Sequence, residues 1–331
     1  MSWKDRGGIM KVLITGGAGY IGSHAVKQFL AHGDEVVVVD NLSTGHLDAV
    51  DERATFYQGD IADYDFMDGV LKKEQIETVI HFAAFSLVGE SMTNPFKYYE
   101  NNVSKSNVLL KVLADNNIKK LVFSSTAATY GEPKRVPIQE EDETLPTNVY
   151  GETKKAIEQM IKWYANAYQM KYVILRYFNV AGASLDSTVG ERHNPETHLI
   201  PIVLQVASNK RPKLSVFGND YPTNDGTCIR DYIHVVDLCE AHYLATRYLE
   251  NNQSDIFNLG SGAGFSVLEI IEAAREVTNH PIPIEISPRR EGDPAVLIAS
   301  SAKARRILNW NPQYENIKKM ISDAWNYEQK R

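Results

Sequence analysis

The order of apolar runs and helical stretches predicts an α/β fold: a doubly wound parallel sheet followed by a smaller α/β C-terminal region. Three observations lead to it. Short β-rich runs alternate with helix-like stretches through the first half. A glycine-rich turn, Gly16-Gly17-Ala18-Gly19-Tyr20-Ile21-Gly22, joins the first run to the first helix. A Tyr150-x-x-x-Lys154 pair opens a helix after the fifth run.

Strands are expected at Lys11–Thr15, Glu35–Asp40, Thr55–Gln58, Thr78–Phe82, Lys120–Ser125 and Tyr172–Tyr177. Continuous apolar character suits strands buried on both faces. Helices are expected near Ile21–His32, Tyr64–Lys73, Pro95–Asn116 and Tyr150–Tyr168. Such alternation gives a parallel sheet with right-handed crossovers. After Asn179 the rhythm loosens, and Pro195, Pro201, Pro212, Pro222, Pro281, Pro283, Pro288 and Pro294 punctuate shorter elements. Residues 10–180 are therefore assigned mainly to the sheet domain and 181–331 mainly to a substrate-binding region, with interleaving elements. Residues 1–9 are expected to be an extension, because Met10 directly abuts the first strand.

A chain of 331 residues fits one large domain or two, and a 43% hydrophobic fraction supplies a substantial core. The net charge of -7 argues against general nucleic-acid affinity, which needs a basic surface. Cys228 and Cys239 have neither zinc-like spacing nor a disulfide pattern, so no metal is assigned and a reducing, cytoplasmic setting is expected. No segment is long and apolar enough to span a bilayer, and the N-terminus lacks a signal peptide's apolar core.

The glycine turn lets backbone amides approach a pyrophosphate, while the following helix N-terminus stabilises its charge. Glycine turns are common, but this one follows a strand, opens a helix and precedes Asp40 by roughly 20 residues, the dinucleotide spacing. At the end of its strand, Asp40 can accept both adenosine-ribose hydroxyls and would repel a 2′-phosphate. The expectation is an NAD-binding Rossmann-like domain. Gly59-Asp60-Ile61 would reach adenine, and the small residues of Phe82-Ala83-Ala84 would let the cofactor pass closely.

Tyr150 and Lys154 lie one helical turn apart and share a face. A free phenol has a pKa near 10, and three units of depression need ~4 kcal/mol. A nearby ammonium and a cationic nicotinamide both favour the phenolate. Tyr and Lys are frequent helix-surface residues, so the pair gains weight from Ser124-Ser125-Thr126 at the preceding strand's end. Hydroxyls there sit at the sheet edge where ligands bind, and Thr126 can hold a reacting alcohol.

From Lys11 onward the chain resembles the extended short-chain dehydrogenase/reductases, and among them the family of UDP-glucose 4-epimerases. The runs that carry the resemblance are Gly16–Gly22, Asp40–His46, His81–Ser91, Phe123–Gly131, Tyr150–Lys154, Arg176–Ala183, Phe217–Thr227, Arg230–His234 and Arg289–Asp293. The resemblance implies retained NAD and a transient 4-keto sugar that turns over between two half-reactions. Tyr150 would take the 4-hydroxyl proton, Lys154 would bind the nicotinamide ribose, and Thr126 would stand at the family's catalytic serine. Asn41, Asn102, Ser124 and Tyr177 would join the cofactor contacts. Asn179, Leu199, Phe217, Arg230, Tyr232, Arg290 and Asp293 would hold a UDP-sugar, the arginines by paired hydrogen bonds to phosphate.

Two positions depart from the family or bear on its specificity. Ser86 stands where many relatives carry lysine. Leu297 aligns with the residue that gates the sugar pocket, where smaller side chains admit UDP-GlcNAc and UDP-GalNAc. A 4,6-dehydratase would need an acid and a base after Thr126, where this chain has Ala127-Ala128. A uronate epimerase or decarboxylase would need a carboxylate pocket, and a catalytically silent NAD sensor would usually lack Tyr150 or Lys154. As the resemblance implies for many relatives, the helix pair Pro95–Asn116 and Tyr150–Tyr168 would form a four-helix homodimer interface. Val103, Val108, Leu109, Val112 and Leu113 are available for that face or for packing against the chain's own sheet.

Overall fold

Apolar runs in the first half pair side by side because both of their faces are buried. The computed structural model describes residues 8–290 and 293–331. In it β1 (Lys11–Thr15), β2 (Glu35–Asp40), β3 (Thr55–Gln58), β4 (Thr78–His81), β5 (Lys120–Ser124) and β6 (Lys171–Tyr177) lie where the sequence places them, within a residue or so. Next come β7 (Asn179–Ala181), β8 (Leu214–Phe217), β9 (Ile229–Arg230), β10 (Tyr232–His234) and β11 (Asp255–Leu259). The first six strands and β11 form one sheet in the order β11-β6-β5-β4-β1-β2-β3. Strand β1 is parallel to both β2 and β4, with Val12 opposite Val36 and Thr78. The chain therefore winds outward from β1 to β3, then crosses to β4 on the other side of β1.

Between these strands run α1 (Tyr20–Ala31), α2 (Tyr64–Glu74), α3 (Val88–Thr93), α4 (Pro95–Tyr98), α5 (Lys105–Asp115) and α6 (Val149–Tyr168). Asp63 caps α2 by accepting the Phe66 amide at 3.1 Å, and Gln75 ends it in the left-handed conformation. The single helix expected over Pro95–Asn116 is interrupted, because Tyr99–Ser104 forms a π-helical turn. Such a turn re-aims a side chain. Here it delivers Asn102, fully buried, whose amide group bonds both backbone atoms of Phe85 and the Thr153 hydroxyl.

The chain divides into two compact units. The first holds the residues up to Thr129 with Asn148–Arg176 and Cys239–Phe257. Its core packs Leu13, Val37, Val79 and Phe123 of the sheet with Leu109, Val112 and Leu113 of α5 and Ile157 and Ile161 of α6. Each such burial contributes about 1.5–3 kcal/mol. Leu109, Val112 and Leu113 thus belong to the chain's own core rather than to a dimer face, and only Val103 and Val108 of the five expected residues keep some exposure. Of the expected N-terminal extension, residues 1–7 lie outside the described residues, while Gly8 accepts a hydrogen bond from Arg247 at 3.1 Å.

The second unit comprises Tyr130–Thr147, Tyr177–Leu238 and Asn258–Arg331. It adds β12 (Phe265–Ser266), β13 (Ile284–Ser287) and β14 (Val296–Leu297). Its helices are α7 (Leu199–Ala207), the start of α8 (Val235–Asn251), α9 (Val267–Thr278), α10 (Ala302–Ile307) and α11 (Ile317–Lys330). Strand β7 pairs with β10, β8 with β13, and β9 lies between β12 and β14. Helices α7, α9 and α11 bury Ile200, Val203, Ile270, Ile271, Met320 and Ile321 against one another. Ser266 and Glu269 form a capping box that starts α9. Among the described residues no helix is long and apolar enough to cross a membrane.

The glycine turn imposes the tightest packing demand. A Cβ on Gly22 would stand 2.1 Å from the Gly16 carbonyl oxygen. Gly22→Ala is expected to destabilise the fold by roughly 1–3 kcal/mol, read as a lower midpoint in urea denaturation, whereas Gly69→Ala, which meets nothing within 4 Å, should be neutral or stabilising.

Candidate active site

The turn after β1 approaches the loop after β4 backbone to backbone. Gly16 has φ of +76°, and a Cβ there would stand 2.7 Å from the Ala83 nitrogen. Gly19 caps α1 without a side-chain hydrogen bond, so the helix start, with Tyr20 and Ile21 in its first turn, presents backbone to its surroundings. That arrangement attracts anions. Asp40, only 8% exposed, ties the turn down: Oδ2 accepts from the Ala18 amide at 3.0 Å and Oδ1 from Leu42 at 2.8 Å. The cradle that a side chain would fill, with a carboxylate at the end of β2, fits a dinucleotide of the NAD type.

Around this cradle, Asn41 donates to Asp60 at 3.3 Å and Lys105 to Asp60 at 2.6 Å. Burial opposes ionisation of Asp60, but the Lys105, Ala62 and Asn41 hydrogen bonds outweigh it and hold the carboxyl below its usual range. Ile61 is buried beside it, and Phe82, Ala83 and Ala84 are partly buried. Both ends of the Asn102 amide group serve Phe85 and Thr153. It braces the post-β4 loop.

Helix α6 begins where Asn148 accepts the Gly151 amide at 2.8 Å. A Cβ on Gly151 would lie 2.4 Å from the Ala128 carbonyl, so this first turn sits directly on the short helical turn Ala127–Thr129. The contact brings the Tyr150 phenol into a hydrogen bond with Thr126, whose Oγ1 also accepts from the Ala128 amide at 3.1 Å. One turn on, Lys154 is 3% exposed and donates to the Ser124 carbonyl at 2.8 Å. The Ser124 hydroxyl lies 3.3 Å from His242 Nε2.

Burial decides the electrostatics. It pushes the Tyr150 phenol up to about 12, with the Thr126 hydrogen bond working the other way. It drops the Lys154 ammonium to about 7 against the attraction of Glu158. The chain's own groups therefore leave the Tyr150 phenol neutral. A further positive charge in the site would shift it toward phenolate.

Sequence reading missed Glu158 and Arg176. Glu158, 1% exposed, accepts from Ser125 at 2.6 Å and forms a two-pronged pair with Arg176 at 2.9 and 2.5 Å. The signal was available as the i, i+4, i+8 spacing of Tyr150, Lys154 and Glu158. Nothing in the sequence paired it with Arg176.

The second unit carries the other candidate residues. Tyr177 ends β6, and Asn179 starts β7 with its side chain donating to the Asp231 carbonyl at 3.0 Å. Leu199 opens α7. Phe217 ends β8, and the Arg290 guanidinium lies 4.0 Å from its ring centre. Arg230 and Leu297 face each other across β9 and β14. Arg230 pairs with Asp293 and also donates to the Ile229 carbonyl at 2.8 Å. Tyr232 is buried, which raises its phenol above the usual value. Glu291 and Gly292 lie outside the described residues. The unforeseen residue here is Asp231, fully buried, whose carboxylate gathers the amides of Ser261 at 2.9 Å, Gly262 at 3.1 Å and Ala299 at 3.0 Å.

Lys154 yields a pH prediction. Its folded pKa of about 7 lies below the ordinary 10.5, so between these values the unfolded chain binds a proton that the native chain does not. Stability from this group rises with pH across that window, and its cost is fully present below pH 7. Lys154→Met should therefore stabilise nucleotide-stripped protein by roughly 3–5 kcal/mol at pH 6, with the gain fading toward pH 10.5. Urea denaturation at pH 6 and pH 10 measures the difference.

Known proteins share this arrangement. The NAD dependent epimerase/dehydratase family profile matches residues 12–260. A UDP-glucose 4-epimerase from Lacticaseibacillus casei is 58% identical over 321 residues, 97% of this chain and 97% of the relative. A crystal structure of a UDP-glucose 4-epimerase aligns with a TM-score of 0.95 and 57% identity, covering 97% of this chain and 98% of that one. The Brucella ovis UDP-glucose 4-epimerase, solved in complex with NAD, gives a TM-score of 0.93 at 44% identity, over 96% of this chain and 98% of that one. A profile spanning most of the chain and relatives matched along nearly their whole length establish that this protein belongs to the NAD dependent epimerase/dehydratase family.

Proposed function

We propose that this chain interconverts UDP-galactose and UDP-glucose by NAD-dependent epimerisation at C4. The observation that carries the proposal is the Tyr150 phenol hydrogen-bonded to Thr126 beside the buried Lys154, with only alanines at positions 127 and 128. Alanine transfers no proton, so the site has one acid/base at this edge. Moving a single alcohol proton to and fro requires one, whereas dehydration requires more.

Gly16, Gly19, Tyr20, Ile21 and Gly22 would hold the cofactor's pyrophosphate, Asp40 and Asn41 its adenosine ribose, and Asp60 and Ile61 its adenine. Bound NAD supplies the hydride acceptor and donor for C4. Tyr150 would take the 4-hydroxyl proton on its phenolic oxygen as C4 gives up hydride, and return that proton to the C4 oxygen when the turned 4-keto sugar takes hydride back on its opposite face. Thr126 holds that oxygen by hydrogen bond. Lys154, fixed by the Ser124 carbonyl, adds positive charge next to the phenol, and burial excludes competing water. Arg230 and Arg290 would grip the diphosphate, with Asn179, Leu199, Phe217, Tyr232 and Asp293 around the nucleotide. For Arg230 this means exchanging part of its Asp293 pairing for phosphate oxygens.

We further propose a cytoplasmic homodimer. The free, buried cysteines Cys228 and Cys239 suit a reducing compartment, and α6 leaves Trp163 72% exposed for a second copy.

Purified protein incubated with UDP-galactose, without added cofactor, is expected to form UDP-glucose. Tyr150→Phe should lower kcat by roughly 10²–10⁴ while leaving UDP binding intact by calorimetry. Absence of conversion with NAD supplied would overturn the proposal. Leu297, in place of a bulkier gate such as tyrosine, would leave room for an N-acetyl group, so the wild type should also turn over UDP-GalNAc. Leu297→Tyr should abolish that activity while keeping turnover of UDP-galactose, and equal loss of both would refute the gating role.

A further inference from the structure

We propose that Glu191, His193, Glu196 and His198 form a four-ligand site for one zinc ion, which clamps the loop ahead of α7. That loop belongs to the second unit, and the site does not depend on the epimerase reading. Cysteine spacing pointed to no metal, and this cluster uses no cysteine.

The geometry is that of a ligand shell. His193 Nδ1 lies 2.8 Å from Glu191 Oε1. His198 Nδ1 lies 2.9 Å from the same Glu191 oxygen and 2.9 Å from Glu196 Oε1. His193 Nδ1 is 3.9 Å from Glu196 Oε2. One coordinating atom from each residue falls within 4.8 Å of the others. Tetrahedral zinc with bonds of 2.0–2.1 Å separates its ligand atoms by about 3.3 Å, and the observed separations bracket that edge.

Charge and packing agree. The Glu191 and Glu196 side chains are 8% and 4% exposed. Two nearly buried carboxylates beside neutral imidazoles would be costly, and two protons or one dication would offset that cost. Two imidazolium rings whose centres are 5.1 Å apart would repel each other, whereas a single dication between the nitrogens serves both carboxylates. The Glu196 carboxylate is already oriented, since its Oε1 accepts the Thr197 and His198 amides, each at 2.8 Å.

Two imidazoles with two carboxylates suit zinc, while magnesium and calcium prefer shells of oxygen. Four protein ligands leave no open position, the mark of a structural ion. His198 is the residue before α7, so the ion would fix the start of the helix that carries Leu199.

Tag-free protein stripped with a chelator and dialysed against Zn²⁺ should hold one zinc per chain by mass spectrometry. Zinc should raise its melting temperature by several degrees, as ligand binding to the native state does. The doubly substituted His193→Gln, His198→Gln protein should bind zinc at least about tenfold more weakly and lose the thermal shift. Glu191→Gln keeps side-chain volume and hydrogen bonding, so with an unchanged circular dichroism spectrum its loss of zinc reads independently of misfolding. His32→Gln, which removes a histidine–carboxylate pair with Glu240 elsewhere, should bind zinc like the wild type. Substoichiometric zinc in the wild type, or undiminished zinc in the Gln variants, would overturn the proposal in favour of protonated histidine–carboxylate pairs. Magnesium binding in place of zinc would likewise overturn it.

Discussion

The close approach of the turn after β1 to the loop after β4 is the constraint on which the first unit depends. The sheet reverses its winding between these two strands, so the loops at their C-terminal ends diverge and leave a crevice. The crevice is lined by backbone because Gly16 has no side chain to place against Ala83. Several polar contacts hold the spacing. Thr15 on β1 bonds His81 on β4 at 2.8 Å, and His81 bonds Ser106 at 2.9 Å. Burial drives the His81 pKa down to about 3, so this link stays neutral. The π-helical turn adds Asn102, which clamps Phe85 on the far side of the same loop.

A second tension lies in the charges beneath Tyr150. Glu158 and Arg176 neutralise one another in a bidentate pair, worth keeping intact because a broken buried pair strands a charge. That pairing leaves the Lys154 ammonium only weakly compensated, and burial makes it costly. The same cost would serve the proposed chemistry, since a desolvated cation attracts a developing anion more strongly than an exposed one, and burial pushes the Tyr150 phenol up. Stability and chemistry thus pull in opposite directions at one residue.

The second unit is held differently. Its strands are short, so backbone pairing alone gives little, and Asp231 compensates by collecting amides from three separate positions. This places Arg230 and Leu297 side by side at the edge of β9 and β14. Arg230 and Asp293 meet each other, which orients both side chains at modest cost.

The strands of the sheet, the glycine turn, Asp40 and the Tyr150/Lys154 pair were legible in the chain because each rests on local rules: continuous apolar runs, a turn that only glycine permits, and one helical turn of spacing. The C-terminal strands were not, since most of them have only two to four residues and carry little periodic signal. The π-helical turn was hidden because its residues read as ordinary helix, and only the burial of Asn102 reveals it. Leu109, Val112 and Leu113 were ambiguous for the same reason, as an apolar stripe does not say which surface it covers. Sequence by itself determined the fold class, the cofactor chemistry and the placing of Tyr150 and Lys154 one helical turn apart. Tertiary structure alone decided the pairing of Glu158 with Arg176, the hub at Asp231 and the convergence of Glu191, His193, Glu196 and His198, because burial and through-space charge depend on which segments the fold brings together.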